Sequence, residues 1–286
     1  MVKHKSLWHN KVMPAQIKVI KRDGTEVLFD DSRVIRSMER SGVPPELFDH
    51  ALAHIKERIQ KDGRITTDEI FYHIREFLVK KDRRSALKFN LRQGIFDLGP
   101  TGFPFEQYLA RIFSVHGYKT ETDIIMQGEC VSHEIDIVLE KEGKREIVEV
   151  KFHNQTFGKT DVHVPLYIYA RFLDVKEKNN IDNVWVATNT KLTSDAITFA
   201  VCKGAKVLAW NYPESGSLQD FVEQPKMYPI TIMTDLTGEE KRRLIDNGIV
   251  LVSELGKISA SELSEKYFID RKRTELILRD AELICG

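Results

Sequence analysis

The stretch HEIDIVLEKEGKREIVEVKF constrains what this chain can fold into more than any other. Its natural break is Glu142-Gly143, between two runs of alternating side chains. A turn there sets Asp136 opposite Glu149, Glu134 opposite Lys151, Val138 opposite Ile147 and Glu140 opposite Arg145. Side chains along a strand alternate between faces, so these positions share one face. The other face carries Ile135 with Val150 and Ile137 with Val148. A surface hairpin is apolar on one side only; this one is apolar on both near its middle, as an internal strand pair is.

Asp136 against Glu149 breaks that pattern. Like charges directly opposed across a strand pair destabilise it, and carboxylates so placed are costly to desolvate. A divalent cation removes the conflict, because Mg²⁺ accepts one or two carboxylates together with waters and phosphate oxygens. Lys151 projects from the same face two residues after Glu149. There it is placed to orient or deprotonate a water, or to stabilise developing negative charge. The E-x-K triplet alone is uninformative; its apolar flanks carry the argument.

The rest of the 286 residues divides by punctuation. The length suggests two or three domains. Residues 1–15 are basic without an apolar core and read as a flexible arm rather than a secretory signal. From 16 to 98, IKVIKRDG and EVLF flank Asp23-Gly24 as a hairpin. Helices follow at Asp31–Arg40, Glu46–Gln60, from Thr67 as N-cap through Leu78, and Arg83–Phe96. LGPTGFP is a boundary. From 99 to 225, a helix at Phe105–His116 precedes strands at Glu134–Leu139 and Glu146–Phe152. A helix at Asp161–Lys176, a strand at Asn183–Ala187, a helix at Ser194–Lys203 and a strand at Lys206–Trp210 complete a mixed α/β layer. From 226 to 286 the pattern is short helices. The expected architecture is therefore multidomain α/β: an α+β N-terminal domain, a central α/β domain with a mixed sheet, and a small all-α C-terminal domain.

Composition excludes some classes. No run approaches the ~20 apolar residues of a membrane helix, so cytoplasmic residence is expected. Cys130, Cys202 and Cys285 are too scattered for a CxxC zinc site or a disulfide framework. Forty-three Lys and Arg balance forty-three Asp and Glu, so any nucleic-acid footprint must be local. There is no P-loop and no GxGxxG.

The order GFPFEQYLARIF, Gly117-Tyr118, IDIVL, VEVK and VWVATNTKLTSDAITFA resembles the PD-(D/E)XK nucleases, especially Mrr-like restriction endonucleases, from about Gly102 to Phe221. The resemblance implies Asp136 and Glu149 as ligands for Mg²⁺ or Mn²⁺, Lys151 as the catalytic lysine and Glu106 as an assisting carboxylate. Ile135 stands where the family name has proline. Past the strand end, His153 is a further catalytic candidate. His163, Tyr167 and Arg171 share a helical face that could meet a phosphate or the DNA backbone.

IKVIKRDGTEVLFDDSRVIRSM, ITTDEIFYHIREFL and SALKFNLR resemble the ATP-cone, a regulatory nucleotide-binding module. Lys21 and Arg22 beside a turn suit a polyphosphate. The resemblance implies Val19, Lys21, Arg22, Glu26, Arg33 and Thr67 as contacts for ATP or dATP. Leu236–Cys285 resembles a helix-hairpin-helix region with its turn at Asn247-Gly248-Ile249. Such a region binds the DNA backbone through turn amides, with the basic clusters 241–243 and 271–273 meeting phosphates; the other reading is a helical interaction or dimerisation domain. The functional expectation is a metal-dependent DNA endonuclease regulated by nucleotide, acting as a homodimer where both strands are cut. Two alternatives stay open: a non-catalytic nucleotide-sensing DNA-binding regulator, and a junction- or RNA-directed nuclease.

Overall fold

A computed structural model describes residues 16–59, 63–155 and 158–286. The flexible arm expected at 1–15 lies outside the described residues. The chain separates into two compact units, Met1–Phe89 and Asn90–Gly286.

In the first unit the hairpin forms as expected. β1 (Lys18–Ile20) and β2 (Glu26–Leu28) pair antiparallel with Val19 opposite Val27. α1 (Asp31–Arg40) begins where Asp30 caps the backbone N–H of Ser32. α2 (Phe48–Lys56) follows a single 3-10 turn at Pro45–Leu47. The third strand was not expected: β3 (Arg64–Thr66) adds parallel to β1. Being parallel, it is set by a crossover rather than by a local turn.

α3 (Thr67–Lys81) starts one residue later than its cap. Thr66, not Thr67, is the N-cap, in a box with Glu69. α4 (Arg83–Phe89) closes the unit. Val34, Met38, Leu52, Ile55, Ile74 and Leu78 are among the side chains of its core.

The expected helix Arg83–Phe96 is broken at Asn90, so the unit boundary falls before LGPTGFP rather than at it. α5 (Leu91–Phe96) buries Leu91, Ile95 and Phe96 in the second unit. Asn90 donates its side-chain amide to Ile232 O, and Thr231 Oγ1 donates to Gly94 O. The approach there is close enough that a Cβ on Gly94 would meet Ile232 Cγ2 at 2.6 Å.

α6 (Phe103–Val115) takes Pro104 in its first turn, where a missing N–H costs nothing. β4 (Lys119–Gln127), β5 (Ser132–Lys141) and β6 (Lys144–Lys151) form an antiparallel meander. β7 (Lys159–Thr160) leads into α7 (His163–Asn179), then β8 (Asn183–Thr188), β9 (Lys191–Leu192), α8 (Ser194–Cys202) and β10 (Lys206–Leu208). The five-stranded sheet runs β10-β8-β6-β5-β4, with β6, β8 and β10 mutually parallel; β7 and β9 pair apart from it.

One face of the sheet packs Val138, Ile147, Val184 and Val186 under α7 and α8, through Ile168, Phe172, Ala196 and Ala200. On the other face Phe113 of α6 meets Trp185 edge to face.

α9 (Leu218–Glu223), a helix the sequence pattern did not predict, sets Phe221 against Phe113 and His116. α10 (Gly238–Asp246), α11 (Val252–Leu255), α12 (Ala260–Glu265) and α13 (Arg271–Cys285) belong to the same compact unit. Tyr108 donates to Met227 O at 2.7 Å, and Arg111 binds Glu254 and Gly248 O. Among the described residues no helix is long and apolar enough to cross a membrane.

Candidate active site

Glu106 sits one turn into α6, on the margin of the apolar face formed by Phe105, Tyr108, Leu109 and Ile112. A Cβ at position 102 would lie 2.8 Å from Glu106 Oε1, so Gly102 leaves the room this carboxylate occupies. Burial, then the charges of Asp136, Asp123 and Glu134, push Glu106 up to about 7.

The β5–β6 register is the one the turn dictates, with Val138 opposite Ile147 and Glu140 opposite Arg145. The ladder ends at Ile137–Val148, one pair short of Asp136 and Glu149. Asp136 instead accepts the Val150 N–H through its own carboxylate, at 2.6 Å. Strict alternation also fails here. Ile135 joins Val138 and Ile147 in the core beneath α7 and α8, and Ile137 does not.

The irregularity continues into β4. Asp123 has a φ of 57° and interrupts the β4–β5 ladder between Thr122–Ile137 and Ile124–Ile135. Aspartate tolerates this left-handed backbone better than most residues. Asp123 is a carboxylate that sequence reasoning missed. The available signal was an Asp among the alternating residues of KTETDIIMQ, a strand that was itself unread.

Glu149 is 5% exposed. Its Oε2 accepts from Arg171 Nη1 of α7 at 2.5 Å, and Oε1 is buried with no hydrogen-bond partner among the described residues. Burial and the charge of Asp136 push Glu149 up to about 7, against the pull of Arg171. Asp136 is likewise raised, first by burial, with the Val150 N–H and Arg171 opposing. Three carboxylates with raised pKa values and one guanidinium thus share a half-buried patch. Perturbed carboxylates of this kind cluster at functional sites, which makes the patch the candidate site.

Lys151 is exposed at the end of β6, paired in register with Thr188 of β8. His153 is held elsewhere: its Nε2 lies 2.8 Å from Thr160 Oγ1, and its backbone exchanges hydrogen bonds with Asn189. Burial and the nearby Lys151 lower its pKa.

Of the α7 face, Arg171 turns inward to Glu149, to Glu134 O and to the Tyr167 hydroxyl, so it is not a free phosphate contact. His163 is exposed and lies 3.1 Å from Asp161.

Of the nucleotide candidates, Val19, Lys21, Arg22 and Glu26 lie on the first unit's hairpin, Arg33 on α1 and Thr67 on α3. Val19 gives its side chain to the core. Arg22 pairs with Asp68 at 2.6 Å, and Glu26 with Lys18 and Arg64. Glu26 is lowered first by its hydrogen bond from Lys18. Arg33 lies 3.4 Å from Asp30, and Lys21 closes the turn through its backbone with Gly24 and Thr25. Thr67 opens α3.

At the C-terminal end, the amides of Gly248 and Ile249 close on Ile245 O and Leu244 O. The turn amides that a helix-hairpin-helix offers to phosphate are therefore spent on the end of α10. Arg273 is similarly committed, to Glu240 and Asp235 O.

Comparison with known proteins agrees with this layout. Residues 100–214 match the restriction endonuclease family, and residues 228–285 match the family described as AF1548-like, C-terminal. An uncharacterized protein of Archaeoglobus fulgidus is 36% identical over 178 residues, 62% of this chain and 100% of that protein. The crystal structure of the protein of unknown function AF1548 superposes with a TM-score of 0.56 at 32% identity, covering 65% of this chain and 99% of its own. The transcriptional repressor NrdR of Microcystis aeruginosa is 26% identical over 100 residues, 33% of this chain and 58% of the repressor. With a relative 36% identical matched over its whole length, and with its acidic patch inside the matched restriction-endonuclease domain, this chain belongs to the AF1548-like family of proteins carrying a restriction-endonuclease domain.

Proposed function

We propose that this protein is a divalent-metal-dependent endonuclease that hydrolyses DNA phosphodiesters at the patch formed by Asp136, Glu149, Lys151 and Glu106. The observation that carries this reading is Glu149 Oε1, a buried carboxylate oxygen with no partner beside a second raised carboxylate. Buried polar atoms are almost always paired, and one left over points to a ligand.

An all-oxygen donor set suits a hard cation, Mg²⁺ or Mn²⁺, held by Asp136 and Glu149. When bound, the cation supplies Lewis-acid polarisation of a phosphoryl oxygen and lowers the pKa of a water. Arg171 anchors Glu149 Oε2 and so leaves Oε1 as the free ligand atom. The Val150 amide orients Asp136 in the same way. Lys151, at the exposed strand end, meets a scissile phosphate or holds the attacking water. Glu106, with a pKa of about 7, exchanges a proton through its carboxylate at neutral pH. His153 then acts by shaping the strand end rather than by touching phosphate.

Supercoiled plasmid incubated with the protein should be nicked with Mg²⁺ and left intact with EDTA. Asp136→Asn should abolish the nicking. Cleavage that persists in that variant refutes the assignment.

ATP or dATP acts on the first unit as a regulator in this reading. The resemblance of residues 16–98 to the ATP-cone supports it, as does the local similarity to the NrdR repressor. Arg22 would exchange Asp68 for a phosphate. Lys21→Ala with Arg22→Ala should weaken nucleotide binding measured by calorimetry; unchanged affinity would remove the cone from the account.

A further inference from the structure

The geometry points to a second metal site, for a transition-metal ion of the Zn²⁺ class, in the first unit between α2 and α3. It is formed by His54, His73 and Glu76, and its argument is independent of the nuclease reading.

The three residues come from two helices. His54 lies on α2; His73 and Glu76 lie one turn apart on α3, on a common face. One ligand atom from each falls within 4.8 Å of the other two. His54 Nε2 is 3.4 Å from Glu76 Oε2, and His73 Nδ1 is 3.7 Å from the same oxygen. A tetrahedral Zn²⁺ with bonds of about 2.0–2.1 Å holds its ligand atoms about 3.3–3.4 Å apart. The two spacings to Glu76 Oε2 are therefore within a few tenths of an ångström of a loaded site, and the imidazole pair lies within 4.8 Å.

A second observation separates this cluster from an ordinary polar contact. His73 Nδ1 is fully buried and makes no hydrogen bond among the described residues. At 3.7 Å from Glu76 Oε2 it is too far for a hydrogen bond and well placed to share an ion. Two imidazoles and one carboxylate favour Zn²⁺ and its neighbours over Mg²⁺, which demands oxygen ligands in octahedral array. The two metal sites of the chain are thus chemically distinct.

Two cations surround the cluster. Lys80 Nζ binds the other oxygen of Glu76 at 2.8 Å and can stay there. Arg58 competes directly: its Nε is 3.4 Å from Glu76 Oε2 and its Nη1 is 3.0 Å from His54 Nδ1. An arriving Zn²⁺ takes the place of Arg58, whose side chain is released from the end of α2. With three protein ligands, the fourth position falls to solvent. Loading clips α2 to α3 and stiffens the unit that carries the nucleotide candidates.

The test uses the full chain carrying Asp136→Asn, which weakens the carboxylate site, after treatment with EDTA. Titration with Co²⁺ should give the visible bands of a low-coordinate nitrogen and oxygen site at one ion per chain. Zn²⁺ should displace that signal, and a large excess of Mg²⁺ should not. His73→Gln should lower Zn²⁺ affinity at least about a hundredfold. Arg58→Ala, which removes the guanidinium that competes for Glu76 Oε2, should tighten binding severalfold. Octahedral Co²⁺ bands that Mg²⁺ displaces would overturn the proposal, as would unchanged Zn²⁺ affinity in His73→Gln. So would weaker binding in Arg58→Ala.

Discussion

Replacing Asp136 with Asn should make the metal-free protein more stable while destroying the proposed activity. The size of the effect follows from Glu149, whose pKa rises from an ordinary 4.5 to about 7. A rise of that extent corresponds to about 3 kcal/mol of unfavourable burial of the charged form. Burial is the larger cause and Asp136 the second, and Asp136 is itself raised by burial. Removing the Asp136 charge should therefore recover about 1–2 kcal/mol, while an Asn oxygen can still accept from Val150 N–H.

The sign follows from linkage. A carboxyl whose folded pKa exceeds its unfolded value favours the fold when protonated. Wild-type stability should fall as pH rises from about 4.5 to 7 and then level off. The advantage of Asp136→Asn should thus be largest above pH 7 and close towards pH 5. Urea unfolding in EDTA, followed by the fluorescence of Trp185 on β8 and of Trp210, measures it in the unit concerned. Mg²⁺ should raise the wild-type midpoint and leave the variant unmoved. A variant less stable than wild type at pH 8, or a gap indifferent to pH, would refute the reasoning.

Three other outcomes are expected. Lys151→Ala, at an exposed strand end, should leave the circular dichroism spectrum unchanged and lower plasmid nicking roughly a hundredfold or more; an active variant would take Lys151 out of the site. Arg171→Met should cost about 3 kcal/mol at pH 8 in urea unfolding, because it strands a buried carboxylate. The loss should shrink at pH 5, where Glu149 takes a proton. Gly94→Ala should cost about 2 kcal/mol, since its methyl would lie 2.6 Å from Ile232 Cγ2; an unchanged unfolding midpoint would show that the contact relaxes freely.

What was legible in the sequence was what depends on neighbours in the chain. Alternation and one Glu-Gly turn set the β5–β6 register from Ile137–Val148 to Lys141–Lys144, which brings Asp136 near Glu149 just past the end of the ladder. The Asp23-Gly24 hairpin and α1 were legible for the same reason. Capping was nearly so: two adjacent threonines compete at the start of α3, and Glu69 decides for Thr66 because it sits three residues on.

Tertiary structure decided everything that joins distant segments. Asp123 enters the patch because β4 pairs with β5 and yields its ladder at a left-handed residue. Arg171 reaches Glu149 because α7 packs across the sheet 22 residues later in the chain. Asn90, where the expected helix divides, gives its side-chain amide to Ile232 O, 142 residues away. Local patterns record which face a side chain takes, whereas the partner waiting on that face is chosen by packing, which no periodicity encodes.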